Sequence, residues 1–140
     1  MITKLALGVS GLVYLFFAYE YIFNLAHLFN LFGFTLPSLE GTTGGIITVM
    51  SRYLGIACFI FAFIFLHMIP HPEKASAALR TSTMVTGMYA GAAGYRAFVE
   101  SGVSVAAIEA TKKNFYIQAA LLLLNVYALS TVPKEKGKKA

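Results

Sequence analysis

The chain contains four apolar stretches, residues 5–23, 53–69, 77–99 and 114–132, and its ionisable side chains lie at or near their ends. A membrane hydrocarbon core about 30 Å thick needs roughly 20 helical residues to cross it, and about 17 are sufficient. A soluble domain has no need for this pattern four times in 140 residues. The pattern therefore predicts an all-α integral membrane protein, a four-helix transmembrane bundle with both termini on the same side.

The composition leaves room for one domain and almost nothing outside the membrane. Hydrophobic residues make up 58% of the chain and charged residues only 12%. We expect a single four-helix domain over residues 1–140, ending in a basic tail at 133–140. Beside a transmembrane helix, the lysines of this tail favour contact with anionic headgroups over binding to nucleic acid.

The distribution of basic residues predicts which side the termini face. Four crossings place both termini and the 70–76 loop together, with Lys4, Lys74, Arg80 and the tail residues Lys134, Lys136, Lys138 and Lys139. The opposite side holds Arg52, Arg96, Lys112 and Lys113. Because cytoplasmic loops carry the excess of Lys and Arg, both termini are predicted to be cytoplasmic, or on the equivalent side of an organelle.

The first helix is predicted to continue beyond the membrane face. Residues 21–32 keep helical spacing of apolar side chains, and Glu20, Asn24 and His27 fall on one helical face. Gly33 then favours a helix end, and Pro37 opposes continuation. Residues 33–51 are therefore predicted to form the longest loop, at the membrane interface.

Small residues recur on one face of the third apolar stretch, at Thr83, Gly87, Gly91 and Gly94. Small residues four apart let two transmembrane helices approach closely. The pattern predicts helix packing within the bundle, with docking onto a partner subunit as the alternative.

Glu20 lies about one helical turn inside the non-cytoplasmic face, at the level of Arg52 and Arg96. An unpaired carboxylate at that depth costs several kcal/mol, so a partner is expected. We predict a structural ion cluster of Glu20 with Arg52 or Arg96. One alternative is a polar pocket, formed by Glu20, Asn24 and His27, that binds a lipid headgroup or another anionic ligand. A proton relay is a further alternative.

The histidines suggest two further kinds of site, neither of which is the main interpretation. His67 and His71 are four residues apart with Glu73 nearby, but Pro70 breaks the helical register that a shared metal would need. His27 or His67 could ligate a haem or a pigment. We therefore predict no metal and no cofactor. Because no nucleophile elbow, carboxylate pair or phosphate loop is present in the sequence, we also predict no enzymatic activity.

The segment Ser51-Arg52-Tyr53-Leu54-Gly55-Ile56 opens the second apolar stretch with an arginine and a glycine. It resembles the corresponding segment of small four-helix membrane proteins of the ergosterol-biosynthesis scaffold family and of related bacterial families of unknown function. The resemblance extends over about residues 50–100. It implies a non-catalytic protein that tethers other membrane proteins.

These observations lead to one functional expectation and one rival. The expectation is a non-catalytic accessory or scaffold subunit of a larger membrane assembly, for example in a bioenergetic membrane. Its partners would be membrane lipids and other integral membrane proteins or further copies of the chain, and not nucleic acid. The rival is a small membrane protein that binds a lipid or another hydrophobic ligand at a polar site around Glu20. A transporter is less favoured because the sequence shows neither a broken helix nor a repeated polar site.

Overall fold

The computed structural model describes residues 1–31, 41–102 and 104–132, and the fold over these residues is entirely helical. The helices are α1 (Ile2–Phe23), α2 (Leu25–Leu31), α3 (Gly41–His67), α4 (Ser76–Phe98) and α5 (Val105–Ser130), with a short 3-10 turn at Pro72–Lys74. The predicted helix end at Gly33 and Pro37 and the basic tail at 133–140 lie outside the described residues.

The first helix continues beyond the apolar stretch as predicted, but Asn24 interrupts it. The Asn24 backbone leaves helical geometry at φ −137° and ψ 46°, while its N–H still donates to the carbonyl of Glu20. Its own carbonyl accepts from the N–H of Leu28 at 3.1 Å, which starts α2. The result is a bend between two helices rather than a single straight one.

The predicted loop over residues 33–51 is wrong for its second half, because residues 41–51 are helical and continuous with α3. The glycines and threonines of this segment have low helix propensity, which favoured the loop interpretation. In the described structure Gly44 and Ser51 are buried and Gly45, Ile46, Val49 and Met50 are exposed, so the segment is a helix with one face turned inward. The Thr48 hydroxyl also donates to the carbonyl of Gly44 at 2.9 Å, within the same helix.

The third predicted helix, residues 77–99, agrees with α4 to within one residue at each end. The fourth was predicted at 114–132, whereas α5 begins nine residues earlier, at Val105. The Ser104 hydroxyl caps this start by accepting from the N–H of Ala107 at 3.3 Å. The first turns of α5 contain Glu109 and Lys112, so hydropathy marked the apolar part of the helix and missed its charged beginning.

The long helices pack as two antiparallel hairpins, α1 with α3 and α4 with α5. In the first hairpin, Gly11 and Gly55 allow close approach of the backbones. A Cβ atom on Gly11 would lie 2.7 Å from Cδ2 of Leu66. A Cβ atom on Gly55 would lie 2.6 Å from Cγ1 of Ile22. Glycine is therefore required at both positions.

In the second hairpin, α4 and α5 approach each other less closely at their glycines. The two hairpins contact each other mainly through α1 and α5. A Cβ atom on Gly94 would lie 3.1 Å from the Phe115 ring. Between the hairpins, the rings of Phe17 and Tyr89 stack with centroids 6.5 Å apart. The short α2 lies against α1 and α5 with Leu28 buried.

Two of these helices, Ile2–Phe23 and Gly44–His67 within α3, are long and apolar enough to cross a membrane. Polar side chains are concentrated inside the fold, at Thr3, Ser10, Glu20, Ser51, Ser82, Thr86, Thr111, Gln118 and Asn125. Large apolar side chains are exposed on all four long helices, among them Leu12, Phe63, Met84, Met88 and Leu123. The described interior also contains apolar side chains, among them Leu7, Leu28, Phe65 and Leu79, so polar and apolar residues share it.

Candidate functional site

A closed ring of three hydrogen bonds joins α1, α4 and α5 at the centre of the fold. The Ser10 hydroxyl donates to Oδ1 of Asn125 at 3.0 Å. The Asn125 amide donates to the Ser82 hydroxyl at 2.9 Å, and Ser82 donates to Ser10 at 3.3 Å. All three residues have 0% exposure. The ring connects the two hairpins through mutually satisfied polar groups, which is a structural role.

Glu20 is buried with 3% exposure, and its Oε2 atom lies 2.7 Å from Nδ1 of His27. The two residues lie seven positions apart, on either side of the interruption at Asn24, a spacing that places both on one helical face. The His27 side chain is half exposed, so the pair lies where the buried interior meets the surface. A carboxylate and an imidazole at this distance form a charge-assisted hydrogen bond when the imidazole is protonated.

This pairing corrects the predicted ion cluster of Glu20 with Arg52 or Arg96. Arg96 is instead paired with Glu100, which lies just beyond the end of α4, at 3.2 Å. Arg52 is exposed on α3. Counting residues along each predicted helix placed Glu20, Arg52 and Arg96 at the same depth in the membrane. Depth alone does not show which neighbouring helix each side chain faces. The binding role proposed for Glu20, Asn24 and His27 stays a prediction, and in the structure Glu20 and His27 bind each other.

The predicted helix-packing residues of α4 divide between the interior and the surface. Gly87 and Gly94 lie against α5, facing Leu122 and Phe115. The Thr83 hydroxyl donates to the Leu79 carbonyl within α4 at 2.7 Å. Gly91 is exposed, and a Cβ atom there would meet nothing within 4 Å. The four residues do not form one buried face, because the face turns outward at Gly91.

Gly91 belongs to an outward surface of α4, which we call the Gly91 face and which comprises Met84, Met88, Gly91, Ala92 and Tyr95. Each of these residues is exposed in the described structure. Gly91 and Ala92 are the small residues of this face, and Met84, Met88 and Tyr95 are the large ones. Such a surface can accept the ridge of another helix.

An open groove of about 600 Å³ lies between α1, α2 and α5, and we call it the α1–α5 groove. Its inner part is apolar, with Val13, Phe16 and Ile117, while Asn30, Glu109, Lys113 and Asn114 supply its polar groups. Leu31, Phe17, Ala106 and Ala110 complete its described lining. A volume in this range is typical of a small-molecule site.

A second, smaller cavity of about 240 Å³ adjoins this groove, since Asn114 lines both. The smaller cavity lies between α1, α4 and α5 and contains several groups able to donate hydrogen bonds, from Tyr21, Tyr89, Arg96, Thr111 and Asn114. Lys113 and Arg96 therefore line neighbouring cavities that share Asn114. This feature was not predicted, because it depends on how α1 and α5 diverge beyond Ser10 and Asn125.

The remaining histidines lie near the end of α3. His67 stacks on Phe63 with ring centroids 5.9 Å apart. Nδ1 of His71 lies 3.7 Å from Oε1 of Glu73. Within residues 1–31, 41–102 and 104–132, no three His, Cys, Asp or Glu side chains are grouped as a metal site would require. A haem or pigment at His27 or His67 stays untested.

The central hydrogen-bond ring was also not predicted, although the sequence contains a signal for it. Asn125 stands within an aliphatic run, and Ser82 begins the polar part of α4. An amide within a long apolar helix indicates an inward face. Which hydroxyls it meets depends on the register between helices, and the sequence does not show that register.

Comparisons of the chain with protein-family models, curated proteins and solved structures found no match. The resemblance of residues 51–56 to the ergosterol-biosynthesis scaffold family therefore stays a prediction.

Proposed function

We propose that the chain crosses a membrane four times, through α1, α3, α4 and α5, and serves as a non-catalytic accessory or scaffold subunit of a membrane assembly. The exposure of large apolar side chains on all four long helices, together with the buried polar residues, supports the membrane part. The polar residues that lower the hydropathy of α4 and α5, including Ser82, Thr86, Gln118 and Asn125, are buried. The surfaces that these helices would present to lipid carry Met84, Met88, Ile117 and Leu123.

Helix length supports the same interpretation. At about 1.5 Å per residue, the 23 residues of α4 and the 26 residues of α5 are each long enough for a hydrocarbon core. The antiparallel arrangement of each hairpin then places the Pro72–Lys74 turn at one end and Gly102 at the other. The excess of basic residues at the end with Lys4, Lys74, Arg80 and the four tail lysines, seven against four at the other end, supports cytoplasmic termini.

The observation that carries the scaffold part is the outward position of Gly91. A glycine inside a helix destabilises it by about 1 kcal/mol relative to alanine, and no neighbour within 4 Å requires it here. Lipid tails have no need of a glycine on the helix surface, whereas an approaching helix does. The Gly91 face is accordingly proposed as the docking surface for another transmembrane helix.

The test compares two substitutions at matched depth. Gly91→Leu fills the Gly91 face, and Ala120→Leu adds a similar side chain to an exposed position of α5 at about the same level. The native size of the assembly is measured after gentle extraction from the source membrane into lipid nanodiscs. We expect the wild type and Ala120→Leu to migrate as the same complex, and Gly91→Leu to migrate as the isolated chain.

The thermal stability of each variant in detergent separates loss of docking from loss of folding. Because Gly91 has open space around it, Gly91→Leu should unfold at the wild-type temperature. A wild-type protein that is extracted as a single chain, or a Gly91→Leu variant that keeps the full complex, would contradict the scaffold proposal.

A further inference from the structure

The α1–α5 groove extends from the middle of the helix pair to one end of the fold. Its deep end lies at Val13 and Ile117, close to the central ring at Ser10 and Asn125. Its other end reaches Ala106, in the first turn of α5. A ligand that fills it must therefore be elongated and apolar along most of its length.

The charged lining residues specify the other part of the ligand. Lys113 and Asn114 line the groove about one turn of α5 from Ile117. Glu109, the acidic residue of the described lining, is paired with Lys112 at 3.1 Å, which offsets its charge. Arg96, in the adjoining cavity, is likewise paired with Glu100 at 3.2 Å. Lys113 and the Asn114 amide could therefore contact one anionic group.

We propose that the α1–α5 groove binds one anionic phospholipid of the surrounding membrane, with an acyl chain against Val13, Phe16 and Ile117 and the phosphate beside Lys113 and Asn114. This inference rests on the membrane setting of the proposed function, but not on the scaffold role. A phospholipid has the required shape, because its charge lies at one end of long apolar chains.

The experiment measures lipid retention by the full-length protein in detergent with native mass spectrometry. The probes are dioleoylphosphatidylglycerol, which is anionic, and dioleoylphosphatidylcholine, which has the same chains and no net charge. We expect the wild type to retain one phosphatidylglycerol molecule in preference to phosphatidylcholine.

Two matched pairs of variants test the two parts of the site. Lys113→Gln should weaken phosphatidylglycerol binding about fivefold, while Arg52→Gln, which removes a charge from an exposed position of α3 outside the groove lining, should leave it unchanged. Ala110→Trp fills the groove and should abolish retention of either lipid. Ala120→Trp, at an exposed position of α5 outside that lining, should retain the wild-type preference.

Several results would overturn the inference. Equal retention of both lipids by the wild type would contradict an anionic headgroup site. Unchanged retention in Ala110→Trp would show that the lipid does not bind in the groove. Absence of retained lipid in the wild type would also contradict it. Resistance of the protein to alkaline carbonate extraction from membranes, measured in parallel, distinguishes these outcomes from failure of the membrane assignment itself.

Discussion

Ser10 and Asn125 lie 115 residues apart in the chain and are joined by a 3.0 Å hydrogen bond at the centre of the fold. Both side chains are fully buried. The bond belongs to a ring with Ser82 that holds the two helical hairpins in one register. Three small polar residues therefore specify how the two halves of the molecule meet.

Replacing Asn125 with leucine, which has a similar volume, should destabilise the protein by about 0.5–2 kcal/mol, because Ser10 and Ser82 lose their amide partner in an apolar interior. Cys58, the single cysteine, is buried, so a thiol-reactive fluorophore can report thermal unfolding in detergent. Leu123→Ile, at an exposed position of α5, is the control and should unfold at the wild-type temperature. Equal unfolding temperatures for Asn125→Leu and the wild type would show that the ring has no stabilising role.

Gly55→Ala should destabilise the first hairpin by about 1–3 kcal/mol, since overpacking a close helix contact forces the backbones apart. The added methyl group would lie 2.6 Å from Cγ1 of Ile22 and 3.2 Å from the carbonyl oxygen of Ala18. Gly91→Ala makes the same chemical change where nothing lies within 4 Å. It should leave stability unchanged or raise it by up to about 1 kcal/mol through helix propensity. The same thiol assay compares the two variants, and a larger loss at Gly91 than at Gly55 would reverse the assignment of the close contact.

A double-mutant cycle should couple Glu20 to His27 and not to Arg52. His27→Ala leaves a buried carboxylate without its partner, whereas Glu20→Gln leaves a half-exposed imidazole that water can solvate. The single change at His27 should therefore be the more destabilising of the two. Adding Glu20→Gln to His27→Ala should recover part of the loss, because it removes the isolated charge. If Glu20→Gln shows equal coupling to Arg52→Gln, the pair seen at 2.7 Å does not govern the stability of this end of the fold.

The helical class and the approximate extent of α1 and α4 could be predicted from the sequence, because long apolar runs and proline or glycine ends are local signals. The start of α3 could not, since residues 41–51 have low helix propensity and give no local helix signal. The partner of Glu20 was also misassigned. The depth of Glu20 and the helical face that it shares with His27 were readable from sequence position, but the choice between His27 and an arginine of another helix depends on how the helices are turned.

The candidate sites show the same division between local and tertiary signals. The small residues of α4 were recognised, but Gly91 and Gly94 differ in environment because the helix turns one toward the surface and the other toward Phe115. The α1–α5 groove has no sequence signature. It arises where α1, α2 and α5 do not close against one another, and only their tertiary arrangement places Lys113 and Asn114 in its lining.

The central claim is that the chain crosses the membrane four times. The most direct test determines on which side of the membrane two exposed positions lie. Glu73→Cys lies in the turn between α3 and α4, and Ser101→Cys lies between α4 and α5. Each is introduced singly into a Cys58→Ala background and exposed to a membrane-impermeant maleimide before and after permeabilisation. Four crossings predict labelling of Ser101→Cys from the outer side in sealed cells, and labelling of Glu73→Cys only after permeabilisation. Labelling of both positions from the same side would mean that α4 does not cross the membrane, and would contradict the account.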